Sequence, residues 1–258
     1  MPHILVTNDD GVDAPGLLAL VQAMQPLGEV SVLAPDRNWS ASGHVKTLSR
    51  PLRVSRTKLA DGTPAFASDG APSDCVALAL LGYIEKPIDL VVSGINPLAN
   101  VGHDVTYSGT VTAAMEAVIG GVPGIAFSLD SPENHMLERD YTTPASLAWE
   151  LVSKFLAADL PKTTLLNVNL PYLPKAEIKG WMITRQGLRV YNDRLDTRLD
   201  PRSRPYYWIG GGVPTAVLED GTDVGALAQG FVSITPLQLD LTDYSNRKKL
   251  MELQWEQR

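Results

Sequence analysis

Short apolar runs alternate with helix-period patterns along this chain, and the alternation predicts an α/β fold. Five runs suit strands of a mostly parallel sheet, and they lie at residues 4–7, 29–34, 88–92, 125–129 and 165–170. Between the first two, Leu17, Val21 and Met24 recur on one helical face. The order of strands and helices predicts a doubly wound sheet whose strands end along one edge.

Local signals place further elements within this pattern. Residues 45–69 alternate loosely and predict a β-hairpin excursion. Ser73 and Ser108 are candidate N-caps of two helices. A helix is expected from residue 144 to about residue 160, and an amphipathic C-terminal helix from residue 247 to residue 255.

The composition changes after residue 178. Residues 185–204 carry six arginines, and residues 206–212 read YYWIGGG. Arginine- and aromatic-rich projections are typical of interfaces, and a solvated surface hairpin is the alternative. We expect one domain with a core at about 1–183 and 213–244, a projecting oligomerisation segment at about 184–212, and a C-terminal helix at about 245–257.

Charge and cysteine content exclude several classes of protein. The 258 residues carry a formal net charge of -7, which argues against a duplex-DNA binder. Cys75 is the only cysteine, so no intrachain disulfide forms and a reducing compartment is expected. The chain enters a core strand at once and has no apolar run of membrane-spanning length, so we expect a cytoplasmic protein without a signal peptide or a membrane partner.

Polar residues follow three of the predicted strands. Asp9 and Asp10 end the first strand, Ser40 lies in the loop after the second, and Asn96 follows the third. Two converging carboxylates repel each other unless a cation lies between them, and oxygen ligands suit Mg²⁺ or Mn²⁺. The residues Asn-Asp-Asp-Gly are also ordinary turn chemistry, which remains the alternative.

A second candidate site lies at the start of the helix after residue 107. Ser108 is its predicted N-cap, and Gly109 and Thr110 leave the first-turn amides accessible to a phosphate. An ordinary capped helix is the alternative. His44 and Cys75 lack a chemical partner nearby in sequence, so both are interpreted as structural.

Four motifs in order resemble those of the SurE family of 5′/3′-nucleotidases, the survival proteins. They are TNDDGxxAPG at 7–16, APDRNxS at 34–40, SGIN at 93–96 with YSGTVxAAME at 107–116, and GFVSITPLxxDLT at 230–242. The resemblance covers essentially the whole chain. It implies a Rossmann-like domain with a C-terminal hairpin extension used in dimer or tetramer assembly.

The resemblance also implies an activity and a site. One divalent ion per subunit, Mg²⁺ or Mn²⁺, is expected on Asp9, Asp10, Ser40 and Asn96. The phosphate is expected at Ser40, Asn96 and the loop of Ser108, Gly109 and Thr110. The expected substrates are nucleoside 5′- and 3′-monophosphates, with short polyphosphate as a further substrate.

Two positions depart from the family pattern. Leu98 stands where family members usually have glycine, so the loop after Asn96 is expected to differ in shape. Trp39 replaces an expected polar residue and offers a surface on which a base could stack.

The predicted reaction is phosphomonoester hydrolysis by metal-activated water, with Asp9 and Asp10 catalytic. A nucleophilic aspartate, as in haloacid-dehalogenase-type phosphatases, is the first rival, but those enzymes usually show D-x-D and not adjacent aspartates. The second rival is a non-enzymatic nucleotide sensor. A G-x-G-x-x-G turn after the first strand would favour it, and the sequence has none.

Overall fold

The computed structural model describes residues 1–132, 138–158 and 160–253, and a nine-stranded sheet lies at its centre. The described residues form thirteen strands, of which nine belong to this sheet. They are β1 (His3–Thr7), β2 (Glu29–Pro35), β3 (Val54–Lys58), β4 (Pro64–Ser68), β5 (Leu90–Asn96), β6 (Gly124–Asp130), β7 (Leu165–Pro171), β8 (Trp181–Ile183), β9 (Leu188–Val190), β10 (Asp193–Leu199), β11 (Pro205–Gly211), β12 (Thr215–Val217) and β13 (Val232–Leu237). The order in the sheet is β3-β4-β2-β1-β5-β6-β7-β13-β8.

Helices cover both faces of this sheet, as the sequence predicts. They are α1 (Pro15–Met24), α2 (Pro72–Leu78), α3 (Gly109–Ile119), α4 (Thr142–Ala157), α5 (Asp223–Ala228) and α6 (Tyr244–Met251). Ile4 and Val6 pack in one core with α1 and α4, whereas Leu5 packs in a second core with α2 and α3. Successive side chains of a strand point to opposite faces, so β1 is buried on both sides and its lack of polar alternation is explained.

Strand β1 lies at the point where the winding of the sheet reverses. It pairs in parallel with β2 on one side and with β5 on the other. Parallel pairing continues from β5 through β6 to β7. In open α/β sheets such a reversal leaves a crevice at the carboxyl ends of the strands, where ligands bind. The residues that follow Thr7 lie at this crevice.

The predicted excursion at residues 45–69 is a hairpin, but it forms the edge of the main sheet. Strands β3 and β4 are antiparallel to each other, and β4 pairs in parallel with β2. Strand β13 pairs antiparallel with β7 and places the C-terminal strand beside the parallel core.

Three helices have boundaries that differ from the prediction. Helix α4 begins at Thr142, before the predicted residue 144, and ends at Ala157, before the predicted residue 160. Ser73 is not an N-cap, because α2 begins at Pro72 and the Ala71 amide is capped by the Asp74 carboxylate at 3.0 Å. The N-cap position is occupied by Ala71, and the Asp74 side chain at the third helical position accepts from its amide, as the acidic residue of a capping box does. Helix α6 begins at Tyr244, before the predicted residue 247, and has no buried residue; Trp255 lies outside the described residues.

The arginine-rich segment forms two small ladders outside the main sheet. Strands β10 and β11 make a seven-residue-pair antiparallel hairpin, and β9 pairs with β12 at its base. Asp223 of α5 holds that base, since its carboxylate accepts hydrogen bonds from the Gly102 and Gly187 amides at 2.8 and 2.7 Å. Within the described residues, no helix is both long and apolar enough to cross a membrane.

Candidate active site

A cleft of about 280 Å³ opens at the carboxyl ends of β1 and β5 and brings the predicted metal ligands together. Its lining comprises Asp9, Asp10, Ser40, Ala41, Asn96, Pro97, Leu98, Ala99, Asn100, Asp104, Tyr107, Ser108, Arg189 and Pro214. The four residues proposed for the metal and the Ser108 cap therefore share one cavity, although they come from four separate segments of the chain.

The turn after β1 is built by Asn8 and Gly11. The buried Asn8 amide accepts from the Gly11 N–H at 3.2 Å and donates to the Gly11 carbonyl at 2.9 Å. Gly11 has a φ of 105°, and a Cβ there would lie 3.2 Å from the Arg37 carbonyl carbon. A side chain at position 11 would be strained and crowded, so this turn needs glycine.

The same turn holds the loop that carries Ser40. The Trp39 amide donates to the Asp9 carbonyl at 2.7 Å, and the Val12 amide donates to the Pro35 carbonyl at 2.8 Å. The Ser40 amide is in turn bonded to the Asn38 side chain at 2.7 Å. The position of Ser40 in the cleft is thus set by backbone contacts with the aspartate turn.

Asp9 is 3% exposed and lies against the N-terminus of α3. Its carboxylate accepts a hydrogen bond from the Thr110 hydroxyl. A Cβ on Gly109 would lie 2.7 Å from the Asp9 Cβ, so only glycine permits this approach. The partial positive charge of a helix N-terminus favours a carboxylate at this position.

Burial raises the pKa of both aspartates. For Asp9, hydrogen bonds from the Thr110 hydroxyl and from the Thr110 and Gly109 amides oppose the effect of burial but leave the pKa raised. For Asp10, burial and the neighbouring Asp9 charge raise the pKa to about 7, while the Arg139 charge acts in the opposite direction. Two carboxylates that resist ionisation in the same cleft form a site that a cation would stabilise.

The donor set fits a hard divalent cation. Among the residues that the structure describes, no group of three or more His, Cys, Asp or Glu side chains could hold a metal ion. The candidate ligands are therefore two carboxylates supplemented by the neutral oxygens of Asn96 and Ser40. Oxygen-only sites with few carboxylates, completed by water and substrate phosphate, are typical of Mg²⁺.

The loop after Asn96 is held by a hydrogen bond between Asn96 and Leu98. The Asn96 side-chain nitrogen donates to the Leu98 carbonyl at 2.5 Å, which directs that nitrogen into the loop and leaves the amide oxygen available. Among described residues other than glycine, only Ala41 and Ser203 have positive φ, so Leu98 does not adopt the left-handed conformation that glycine favours. Ala41, with a φ of 58°, instead provides the strained backbone of the cleft beside Ser40.

Three of the five residues expected at the phosphate belong to the start of α3, and their surroundings differ. Ser108 lines the cleft and caps α3, accepting from the Val111 amide at 3.1 Å. Gly109 and Thr110 lie behind Asp9 and contact its side chain. The first turn of α3 therefore supports the Asp9 carboxylate, while its cap residue faces the cavity.

Several residues near the cleft were not predicted from the sequence. Arg139 lies close enough to Asp10 to lower its pKa, and its Nε donates to the Ser131 hydroxyl at 2.7 Å. Asn100 anchors the cleft loop, because its amide and carbonyl bind Asn169 and Asn167 of β7. These residues belong to no recognisable sequence motif, because Arg139 is a single arginine in a polar loop and the two asparagines lie within a strand.

Three other residues discussed in the sequence analysis do not line the cleft. The Trp39 ring is covered by the Arg37 guanidinium, 5.0 Å from the ring centroid, and Trp39 is absent from the cleft lining. Cys75 is fully buried, and burial raises the pKa of its thiol, as expected of a packing residue. His44 has a structural partner, since its Nε2 lies 2.9 Å from the buried Glu116 carboxylate.

Comparison with known proteins gives a consistent result. The model of the family described as survival protein SurE matches residues 4–193. A protein named 5′-nucleotidase SurE from Chloroflexus aggregans is 48% identical, covering 98% of this chain and all of the relative. One of the same name from Herpetosiphon aurantiacus is 49% identical, covering 98% of each. The crystal structure of a SurE protein from Aquifex aeolicus has a TM-score of 0.80 and 43% identity, covering 96% of this chain and 98% of that one.

Proposed function

The chain belongs to the SurE family, and on that basis we propose that it is an enzyme that hydrolyses nucleoside monophosphates to nucleoside and phosphate. The observation that carries this proposal is the convergence of Asp9, Asp10, Ser40 and Asn96 with Ser108 in one cleft where the sheet winding reverses. Relatives that match the chain over nearly its full length are named 5′-nucleotidases, which favours an enzyme over a nucleotide sensor.

We further propose that the enzyme uses a divalent cation, Mg²⁺ or Mn²⁺, held by the Asp9 and Asp10 carboxylates and the Asn96 and Ser40 oxygens. When bound, the cation would neutralise phosphate charge and acidify a coordinated water. The oxygen-only donor set and the raised pKa values of the two aspartates support this assignment. The Arg139 charge beside Asp10 is a further cation at this end of the cleft.

The chain's own residues have distinct tasks in this proposal. Asp9 is fixed by Thr110 and the first turn of α3, so it serves as the rigid ligand. Asp10 is the more exposed carboxylate, and we assign it the orientation of the attacking water. The Ser108 hydroxyl lies at the mouth of α3, where it can donate to a phosphate oxygen as charge develops.

A substrate panel tests the proposed activity. The purified protein is assayed for phosphate release from nucleoside 5′-monophosphates, nucleoside 3′-monophosphates, short polyphosphate and p-nitrophenyl phosphate, with Mg²⁺ or Mn²⁺ present. We expect turnover of 5′-monophosphates, with the 3′-esters and polyphosphate as additional substrates. Absence of hydrolysis on every phosphomonoester, with folded protein and metal verified, would contradict the proposal.

The nucleophilic-aspartate rival has its own test. The deep burial of Asp9 and its bond to Thr110 favour a ligand over a nucleophile. Acid-quenched enzyme, incubated with phosphate-labelled substrate, should therefore contain no hydroxylamine-sensitive phosphoryl group. Detection of such a group on Asp9 or Asp10 would replace direct water attack by a covalent route.

A further inference from the structure

Part of the cleft lining is contributed by the arginine-rich segment. Arg189, from β9, and Pro214, just before β12, line the same cavity as the two aspartates. Asp104 and Tyr107 complete this part of the lining from the segment that precedes α3. The base of the projecting segment is therefore a wall of the candidate active site as well as the support of the hairpin.

These side chains form one ordered cluster centred on Asp104. The Tyr191 hydroxyl donates to Asp104 Oδ1, and the Arg189 Nε lies 3.3 Å from Asp104 Oδ2. The Tyr191 ring stands at 89° to the Tyr107 ring, with centroids 6.4 Å apart. Edge-to-face packing of this kind fixes the orientation of aromatic rings.

Tyr107 is held in this cluster yet is 59% exposed. Its own carbonyl accepts from the Gly43 amide at 2.8 Å, so its backbone is held to the segment that follows Ser40. Its neighbour in sequence, Ser108, faces the proposed phosphate position. An oriented, solvent-accessible ring thus lies one residue from the group expected to contact phosphate.

We propose that Tyr107, oriented by Tyr191 and Asp104, is the stacking surface for the base of the nucleotide substrate. This inference rests on the proposed function and specifies the nucleoside end of the same site. Aromatic side chains stack on every nucleobase because every base has a π-face, so the subsite favours nucleotides over other phosphate esters without selecting one base. The planar Arg189 guanidinium and Pro214 border the same space.

Substitution of Tyr107 tests the assignment. Tyr107→Ala removes the ring, and Tyr107→Phe keeps it while removing the hydroxyl. Tyr244→Ala is the matched control, since Tyr244 is 64% exposed on α6 and does not line the cleft. Each variant is assayed with several nucleoside 5′-monophosphates and with ribose 5-phosphate, which lacks a base. Inhibition by adenosine is measured as a second readout.

For Tyr107→Ala we expect KM for every nucleoside monophosphate to rise about tenfold and adenosine inhibition to weaken by a similar factor. The value of kcat with nucleotides and kcat/KM for ribose 5-phosphate should stay within about threefold of wild type. Tyr107→Phe and Tyr244→Ala should behave like wild type. Tyr191→Phe, which loses the bond to Asp104, should give a smaller change of the same kind.

Two results would overturn the proposal. One is an equal loss of kcat/KM for nucleotides and ribose 5-phosphate in Tyr107→Ala, and the other is unchanged adenosine inhibition in that variant. If the wild-type protein does not turn over ribose 5-phosphate, adenosine inhibition alone is decisive: weaker inhibition of Tyr107→Ala supports the base subsite, and unchanged inhibition overturns it. A wild-type protein inactive on all phosphomonoesters would instead refute the proposed function, and the base subsite with it.

Discussion

At the residue scale, the adjacent carboxylates of Asp9 and Asp10 are costly to ionise without a cation. Asp10 has a pKa raised from 3.8 to about 7 by burial and by the Asp9 charge. The folded protein then binds this proton more tightly than the unfolded chain does. Its contribution to stability is present below about pH 4 and is lost as the pH rises to about 7.

Asp10→Asn should therefore stabilise the metal-free protein at about pH 8, by roughly 2–4 kcal/mol in the free energy of unfolding, because one pKa unit corresponds to about 1.4 kcal/mol. The gain should disappear below about pH 3, where the wild-type carboxyl is protonated in both the folded and the unfolded state. Denaturant unfolding in chelator at the two pH values measures this difference. A variant less stable than wild type at pH 8 would show that the Asp9–Asp10 pair is not under electrostatic stress.

Gly109 permits the close packing of Asp9 on α3, so its substitution should displace the Asp9 carboxylate from its position in the cleft. Gly109→Ala places a methyl group 2.7 Å from the Asp9 Cβ and 3.1 Å from the Pro72 side chain. We expect at least about a hundredfold loss of kcat/KM, since misplaced electrostatic groups cost several kcal/mol in the transition state. Gly210→Ala is the control, because a Cβ there meets nothing within 4 Å. Similar activity of both variants would refute the positioning role of Gly109.

At the scale of elements, helix α3 connects the two halves of the site. Its first turn holds Asp9, and Glu116 holds the segment that follows Ser40. The buried Glu116 carboxylate lies 2.9 Å from both the His44 Nε2 and the Lys46 Nζ. Burial favours the protonated acid, but the hydrogen bonds and charges of His44 and Lys46 outweigh it and lower the pKa of Glu116.

Glu116→Gln should reduce the free energy of unfolding at pH 7 by about 1–2 kcal/mol, because it weakens two interactions of a buried carboxylate. A lowered carboxyl pKa gives stability that is present above the unfolded pKa and is lost as the pH falls, so the difference from wild type should shrink in acid. Glu150→Gln breaks an exposed pair with Lys154 and should cost less than about 0.5 kcal/mol. Equal effects of the two substitutions on the free energy of unfolding would show that the contacts of Glu116 with His44 and Lys46 contribute no more than an exposed ion pair.

The elements predicted from sequence are those whose signals are local. Strand β1 and its aspartates were predictable because an unbroken apolar run ends in a turn sequence. The position of Arg189 in the cleft lining was not predictable. It depends on the pairing of β9 with β12 and on the contact of Arg189 with Asp104, which lies 85 residues earlier in the chain. The support that Thr110 gives to Asp9 is equally non-local, since it joins residues 101 positions apart.

At the scale of the whole molecule, the hairpin of β10 and β11 exposes a large apolar surface. Leu195, Tyr207 and Ile209 are 67%, 59% and 84% exposed. They share one face of the hairpin, because Leu195 is the register partner of Ile209 and side chains alternate between faces along a strand. Exposed apolar side chains in such a group are typical of a surface that another protein covers. We expect a second copy of the chain to cover it, as the family resemblance implies.

Removal of residues 194–210, with Asp193 and Gly211 joined by a short Gly-Ser turn, should reduce the size of the assembly. The two joined residues are register partners, so β9, β12 and Arg189 stay in place and activity should change by less than about threefold. Light scattering measures the assembly, and Ile209→Asp is a milder variant that should act in the same direction. An assembly of unchanged size in both variants would show that the hairpin does not hold subunits together.

We propose that the cleft at the end of β1 is a divalent-metal site for phosphomonoester hydrolysis. To test this, phosphate release from a nucleoside 5′-monophosphate is measured as Mn²⁺ or Mg²⁺ is added back to chelator-treated protein, with Asp9→Asn and Asp10→Asn alongside. We predict no turnover without metal, a saturable return in wild type, and at least about a hundredfold lower activity in both variants at the same metal concentration. Full turnover by the wild-type protein after verified removal of the metal would contradict the proposed metal site.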